Sequence, residues 1–455
     1  MAITIQQQPT SPGMVNSDIV FTVQSSVPSQ PQFQYVMDIY ESGSATRLQR
    51  IKQQPNPNTK GVFNIGQILK SYMSSDLVWK AAPFATSSNA NKDFIVMFGE
   101  EYGTSLSSSL TLYNGISATA GNPAKSGSNF YTFTNGLVDP YDAVNWNFDS
   151  GSYYTSSAAP TGGSANFTRS SALTNALTTQ SIADGDYATI SLYNGNFNNS
   201  STNAQDIYQV QVRVYNSASS NIQNITLTNL ESAGGGPRAN GTQEWGDSGV
   251  YNTQTKSTRL LHTGVGPQNL DDSGNALSGS WAYYIVDWIG QESAGIEDSS
   301  AIYASVRFNK ETSECSYNGV RFAWKNEFGV WDYYTFTLQS DSAVNIERQS
   351  YEQTFVDYST ANTSVPYDKS RRGATQFYNA LNQVKTANSN WLTQAEADWL
   401  RELFFSANVY IQDGTDFKPV VITSANVVEK TNPRTQKNFQ YTIEFSPANQ
   451  LRPRE

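Results

Sequence analysis

Two carboxylates held close together can act as acid and base on a glycosidic bond, and the chain has adjacent acids at Glu100-Glu101, Asp271-Asp272 and Glu297-Asp298. Adjacent acids on loops are more often solvated charge, so these pairs carry no catalytic expectation. His262 is the single histidine and Cys315 the single cysteine, which excludes multi-histidine metal sites and internal disulfides. A serine and Asp247 would complete a triad with His262, yet no Gly-x-Ser-x-Gly element presents a nucleophile, and a polar loop histidine is the plainer reading. Cys315 reads as a half-buried strand-end residue. The run Gly121 to Ser126 looks faintly like a phosphate loop, but Thr119 and Ala124 stand where glycines are required. Asp184-Gly185-Asp186 and Asp413-Gly414-Thr415-Asp416 offer oxygens to calcium. Neither has a glutamate at the twelfth position, and Asp-Gly is equally a turn signal. Trp146 and Trp245, near Asn- and Asp-bearing loops, are the candidate glycan contacts, with core packing as the competing role. The expectation is a protein with no catalytic residues, cofactor or metal.

Composition points the same way. The chain of 455 residues exceeds the ~250 to 300 that one hydrophobic core can serve, so several domains are expected. Charged residues make up 15%, against about 25% in ordinary soluble domains. Aromatics make up 13%, which excludes disorder and fits a β-rich protein with long polar loops. A net charge of -10 argues against a grip on nucleic acid. No apolar run is long enough to insert in a membrane, and the first residues lack the basic and apolar regions of a signal peptide. The Asn-x-Ser/Thr triplets, at Asn224 and elsewhere, read as chance products of this composition.

The elements that would position any site are strands. The best organised stretch runs from Tyr317 to Leu338, where Val320, Phe322 and Trp324 alternate with Arg321, Ala323 and Lys325. Asn326 to Gly329 supply a turn, and Trp331 to Leu338 return as a second strand. Trp324, Trp331, Tyr334 and Phe336 are the expected core anchors of this hairpin. Near the C-terminus, Thr393 and Glu396 form a capping box, and Trp399, Leu400, Leu403 and Phe404 line one helix face. Trp399 and Leu403 are further core candidates.

The sequence therefore predicts an all-β fold of several antiparallel β-sandwich-like domains with one short helix near the C-terminus. The expected segments are an immunoglobulin-like β-sandwich over 1–102, a Ser/Asn/Gly-rich loop-bearing β region over 103–206, a central antiparallel β-domain over 207–350 and a helix plus β-meander over 351–455.

Four stretches together resemble a family of virion structural proteins of tailed bacteriophages. They are Pro55-Asn56-Pro57 leading into Gly61 to Ile65, Phe98 to Tyr102, the aromatic hairpin, and a C-terminal unit. That unit combines Tyr367-Asp368, Arg371-Arg372-Gly373, the helix after Trp391, Pro419 to Ile422 and Phe439 to Phe445. The resemblance implies no catalytic residues. It implies a tail or baseplate component made in the host cytoplasm, working as a symmetric homo-oligomer or as an adaptor to other virion proteins. The alternative is a receptor-binding fibre or head-decoration protein that recognises a host surface glycan.

Overall fold

The computed structural model describes residues 3–9, 13–41, 44, 46–81, 83–87, 89–103, 111–114, 131–137, 172–193, 207–228, 260–293, 296–311, 319–353, 373–424 and 440–449. Among them are five sheets and three helices, so the protein is all-β with short helices. By compactness the chain forms two units. One is Met1–Thr312 with Lys325–Tyr333; the other is Ser313–Trp324 with Tyr334–Glu455. Strands are numbered in chain order.

The first unit opens with a sandwich. One sheet orders β1 (Thr4–Gln7), β3 (Val20–Gln24) and β6 (Lys60–Asn64). The other orders β2 (Gly13–Met14), β10 (Tyr131–Thr134), β8 (Asn91–Glu101), β4 (Gln34–Glu41) and β5 (Arg47–Gln53), with β9 (Thr111–Asn114) also on β8. Alternate residues of both sheets meet in one core, where Phe21, Val23, Phe63, Tyr35, Met37, Phe94, Phe98 and Phe133 are buried. Phe21 packs edge-on to Tyr131 at 5.0 Å and tilted against Phe98 at 5.5 Å. Helix α1 (Gly66–Lys70) follows Ile65 and buries Leu69.

A second pair of sheets follows in the same unit. One orders β12 (Thr189–Tyr193), β15 (Leu260–Gly264) and β7 (Phe84–Thr86). The other orders β11 (Thr179–Ile182), β17 (Ile296–Lys310), β16 (Tyr283–Ser293), β13 (Ile207–Tyr215) and β14 (Asn221–Thr228). Two buried bonds tie these layers together. The Trp288 indole donates to Thr263 Oγ1 at 3.0 Å, and the Tyr284 hydroxyl donates to the Val265 carbonyl at 2.8 Å. Helix α2 (Pro267–Asp272) begins with proline at its first turn, where the missing N–H leaves nothing unsatisfied.

Strand pairing groups the chain differently from the four segments read from composition. From the 103–206 stretch, β9 and β10 join the N-terminal sheet, while β11 and β12 join sheets built with later strands. Pairing between strands so distant in sequence leaves no local signature.

The fifth sheet orders β19 (Trp331–Phe336), β18 (Val320–Lys325), β22 (Val409–Asp413), β23 (Asp416–Ile422), β24 (Thr442–Pro447), β21 (Ala374–Asn388) and β20 (Asp341–Glu352). The expected C-terminal helix is α3 (Gln394–Phe405). Its capping box forms as read: Glu396 N–H donates to Thr393 Oγ1 at 3.3 Å and Thr393 N–H to Glu396 Oε2 at 2.7 Å. Trp399, Leu400 and Leu403 are buried on one face, and Trp324 lies 5.3 Å from Trp399, ring centre to ring centre. Phe322 packs edge-on to Phe336 and Phe445, both at 5.1 Å.

Of the hairpin anchors, Trp324, Trp331 and Phe336 are buried as expected, whereas Tyr334 is half-buried and Tyr333 is the tyrosine taken inside. Alternation along β19 explains this: Tyr333 shares the face of Trp331, and its hydroxyl lies 2.9 Å from that of Thr189. Truncating Trp324 or Trp331 to alanine should each cost about 3 to 5 kcal/mol, read as a lowered denaturation midpoint. Thr393→Ala, which removes one cap, should cost about 1 kcal/mol in the same assay.

Candidate functional site

Several of the chemistry-bearing residues named by the sequence are bonded to groups of the protein itself. Glu100 and Glu101 are neighbours on β8 and therefore point to opposite faces. Glu100 accepts a hydrogen bond from the Ser25 hydroxyl, and Glu101 pairs with Lys52. They do not converge on one substrate atom. Asp272 accepts from the Tyr187 hydroxyl and from Gln268 Nε2, both at 2.9 Å. Glu297 and Asp298 are also adjacent on one strand, β17.

The two Asp-Gly sites are turns. Gly185 and Gly414 take φ of +82° and +62°. Asp186 accepts from the Ala183 amide at 3.0 Å, Asp184 from the Trp281 indole at 2.8 Å, and Asp413 pairs with Lys418. No group of three or more His, Cys, Asp or Glu able to hold a metal occurs among the described residues. Trp146, Trp245, Asp247, Cys315 and the Gly121 to Ser126 run lie outside the described residues.

His262 is no loop residue. It sits inside β15, directly opposite Ser191 of β12, with Nδ1 2.7 Å from Ser191 Oγ. Both residues are buried, and Nε2 has no partner among the described residues. Burial pushes the imidazole pKa down to about 4. A serine beside a histidine is the start of a nucleophile, but here both side chains are buried where β12 pairs with β15.

Two acid–base clusters join neighbouring strands, a pairing that no single strand's sequence reveals. Asp38 of β4 receives two bonds from Arg50 of β5, both at 2.6 Å. Asp287 of β16 receives Arg213 Nη2 at 2.6 Å and the Ser305 hydroxyl at 2.6 Å. Each carboxylate is fully or nearly buried and locked by a planar guanidinium, a geometry that fixes strand register. A cavity of about 330 Å³ lined by Ile51, Lys52, Gln53, Val62, Phe63 and Asn64 has no convergent acids.

The hairpin tip is the densest polar site. Asn326 Oδ1 accepts from the amides of Phe328 and Val330 at 3.1 and 3.2 Å, and its Nδ2 donates to the Leu173 carbonyl at 2.9 Å. Gly329 takes φ +82°, and a Cβ there would stand 2.2 Å from the Asn135 carbonyl oxygen. The Gly329 carbonyl accepts from Ser75 Oγ at 2.7 Å, and the Trp331 indole donates to the Asp76 carbonyl at 2.9 Å. Lys325 at the tip is mostly buried, and burial with repulsion from Lys70 pushes its ammonium pKa down to about 8. The contacts of Asn326, Gly329, Ser75 and Trp331 hold the tip in place.

One surface is different. Strands β20 and β21 run as a two-stranded ribbon through Asp341↔Thr386 to Glu352↔Ala374, and β24 supports only Lys385 to Asn388 of it. Every residue of β20 is exposed. Val344 and Ile346 are each 49% exposed on one face, with Leu381 directly opposite Ile346. Past a register shift at Gln349/Ser350, Tyr351 and Phe377 pack at 6.1 Å with half of each ring in solvent. The sequence reading missed both strands, since β20 is exposed throughout and β21 is mostly half-buried on both faces, so neither alternates wet with dry.

The pH response of His262 can be measured. The folded pKa lies below the unfolded 6.5, so the unfolded chain binds more protons as pH falls. The neutral ring's contribution is complete above pH 6.5 and is lost between 6.5 and about 4, by about 3 kcal/mol in all. The stability difference between the native protein and His262→Asn, followed by urea unfolding across that window, should shift against the native protein by that amount. A difference constant with pH would contradict the buried neutral ring. No model of a known protein family matches the chain, and no curated protein is similar to it.

Proposed function

We propose that the protein is a non-enzymatic structural subunit of a tailed phage particle, a tail or baseplate component that contacts other virion proteins in a symmetric assembly. The observation that carries the reading is the β20–β21 ribbon, which extends beyond its sheet with Val344, Ile346, Tyr351 and Phe377 in solvent. Extended arms of this kind gain their stability from neighbours, because a two-stranded hairpin is marginal alone. The second unit also leaves Trp391 and Phe405 exposed, at 65% and 79%. The resemblance of the aromatic hairpin and C-terminal unit to tailed-phage virion proteins supports the same reading. So does the engagement of Glu100, Glu101, Asp38 and Asp287 with groups of the protein itself.

The reading places the chain in the virion after synthesis in the host cytoplasm. Mass spectrometry of purified particles tests it. Peptides from this chain should appear at the abundance of a structural component, and their absence from particles would end the proposal.

A further inference from the structure

Strand β20 is the last strand of its sheet, and its outer edge has no partner among the described residues. An edge strand offers a row of backbone N–H and C=O groups to any other strand, and proteins blunt such edges with lysine, proline, bulges or brevity. From Asp341 to Gln349 this edge has no lysine, no proline and no register shift, the whole strand is twelve residues long, and its three charges, Asp341, Glu347 and Arg348, are of mixed sign, so they restrict which register a partner can take. The other strand of the ribbon, β21, is paired by β20 along one edge and by β24 at Lys385 to Asn388 on the other, so β20 is the strand open along its whole outer edge.

We infer that the added strand is β20 of a second copy, paired antiparallel about a two-fold axis at Asn345. This deepens the assembly reading and rests on it for the presence of a second copy. For a second copy the register is set by avoiding opposed like charges while pairing the longest uninterrupted run. Residues opposed in an antiparallel pair share a face, so a two-fold axis must pass through a residue position. An axis at Val344 sets Asp341 against the partner's Glu347. An axis at Glu347 or at Arg348 sets that charge against its own copy. Like charges directly opposed destabilise a pair. An axis at Ile346 sets Val344 against the partner's Arg348.

An axis at Asn345 opposes no like charges. It sets Val344 against the partner's Ile346 twice over, Arg348 against the partner's Ser342, Glu347 against the partner's Ala343, and Asp341 against the partner's Gln349. Nine residues of each copy then pair before the register shift at Gln349/Ser350. Two seven-stranded sheets become one continuous sheet.

The test uses the full chain. In a Cys315→Ser background, Asn345→Cys places two Cα atoms about 4.5 to 5.5 Å apart across the axis, within disulfide reach. Mild oxidation should give a covalent dimer. Glu347→Cys puts its two sulfur-bearing residues about 14 Å apart in this register and should stay uncrosslinked. By analytical ultracentrifugation the unmodified chain should dimerise, and Ile346→Lys should weaken that at least about tenfold with an unchanged circular dichroism spectrum.

A chain monomeric at every concentration overturns the inference, and so does equal crosslinking of both cysteine variants. Protection of β20 from hydrogen exchange only when other particle proteins are added assigns the edge to another protein's strand and also overturns it. Absence from purified particles would end the particle reading while leaving the dimer measurement standing.

Discussion

The Asn326 side chain closes the tip of the aromatic hairpin by standing in for backbone, accepting from two amides of its own turn and donating to a carbonyl of a distant segment. A buried turn cannot leave N–H and C=O groups without partners, since each orphan costs about 1 to 3 kcal/mol. That constraint propagates outward. The turn needs positive φ at Gly329 and no Cβ there, because the Asn135 backbone lies against it. Gly136 is required for the same reason, with the Glu327 carbonyl oxygen 2.6 Å from where its Cβ would be. With the turn fixed, Phe328, Val330 and Trp331 are carried into buried positions.

Legibility followed burial. Strands with one wetter and one dry face, such as β3 and β13, carry in their residues the alternation that makes a strand readable. The capping box located α3 because cap chemistry is local. Helix α2 was missed although its proline was a usable signal. Asn269 on it is buried and bonded to the Ala188 amide and to the carbonyls of Trp79 and Ala81, partners that no nearby residue predicts. Strands β20 and β21 were missed for the opposite reason, β20 being exposed on both sides and β21 mostly half-buried on both. The most exposed ordered element was thus the least visible one.

The candidate chemistry was legible mainly as a set of exclusions, and for the described residues the fold shows what those groups do instead. Acids adjacent in sequence diverge on a strand. Asp-Gly pairs make turns. The histidine and serine that do meet, at positions 262 and 191, are brought together by strand register and enclosed by it. What the sequence could not convey was which acids would be buried. Asp38 and Asp287 look like ordinary polar-face residues until the strand beside each supplies an arginine.

The division of the chain into units has a consequence for how such a protein can change over time. Residues Lys325–Tyr333 belong to the first unit, yet they are encoded inside the stretch that builds the second. A single recombination crossover near position 312 that swapped everything downstream would carry away nine residues on which the upstream unit's polar tip depends, including Asn326, Gly329 and Trp331. The second unit is therefore no free cassette. It can be exchanged between lineages only together with a matching Leu173, Asn135 and Asp76 far upstream, or with a new hairpin tip selected to fit the old unit.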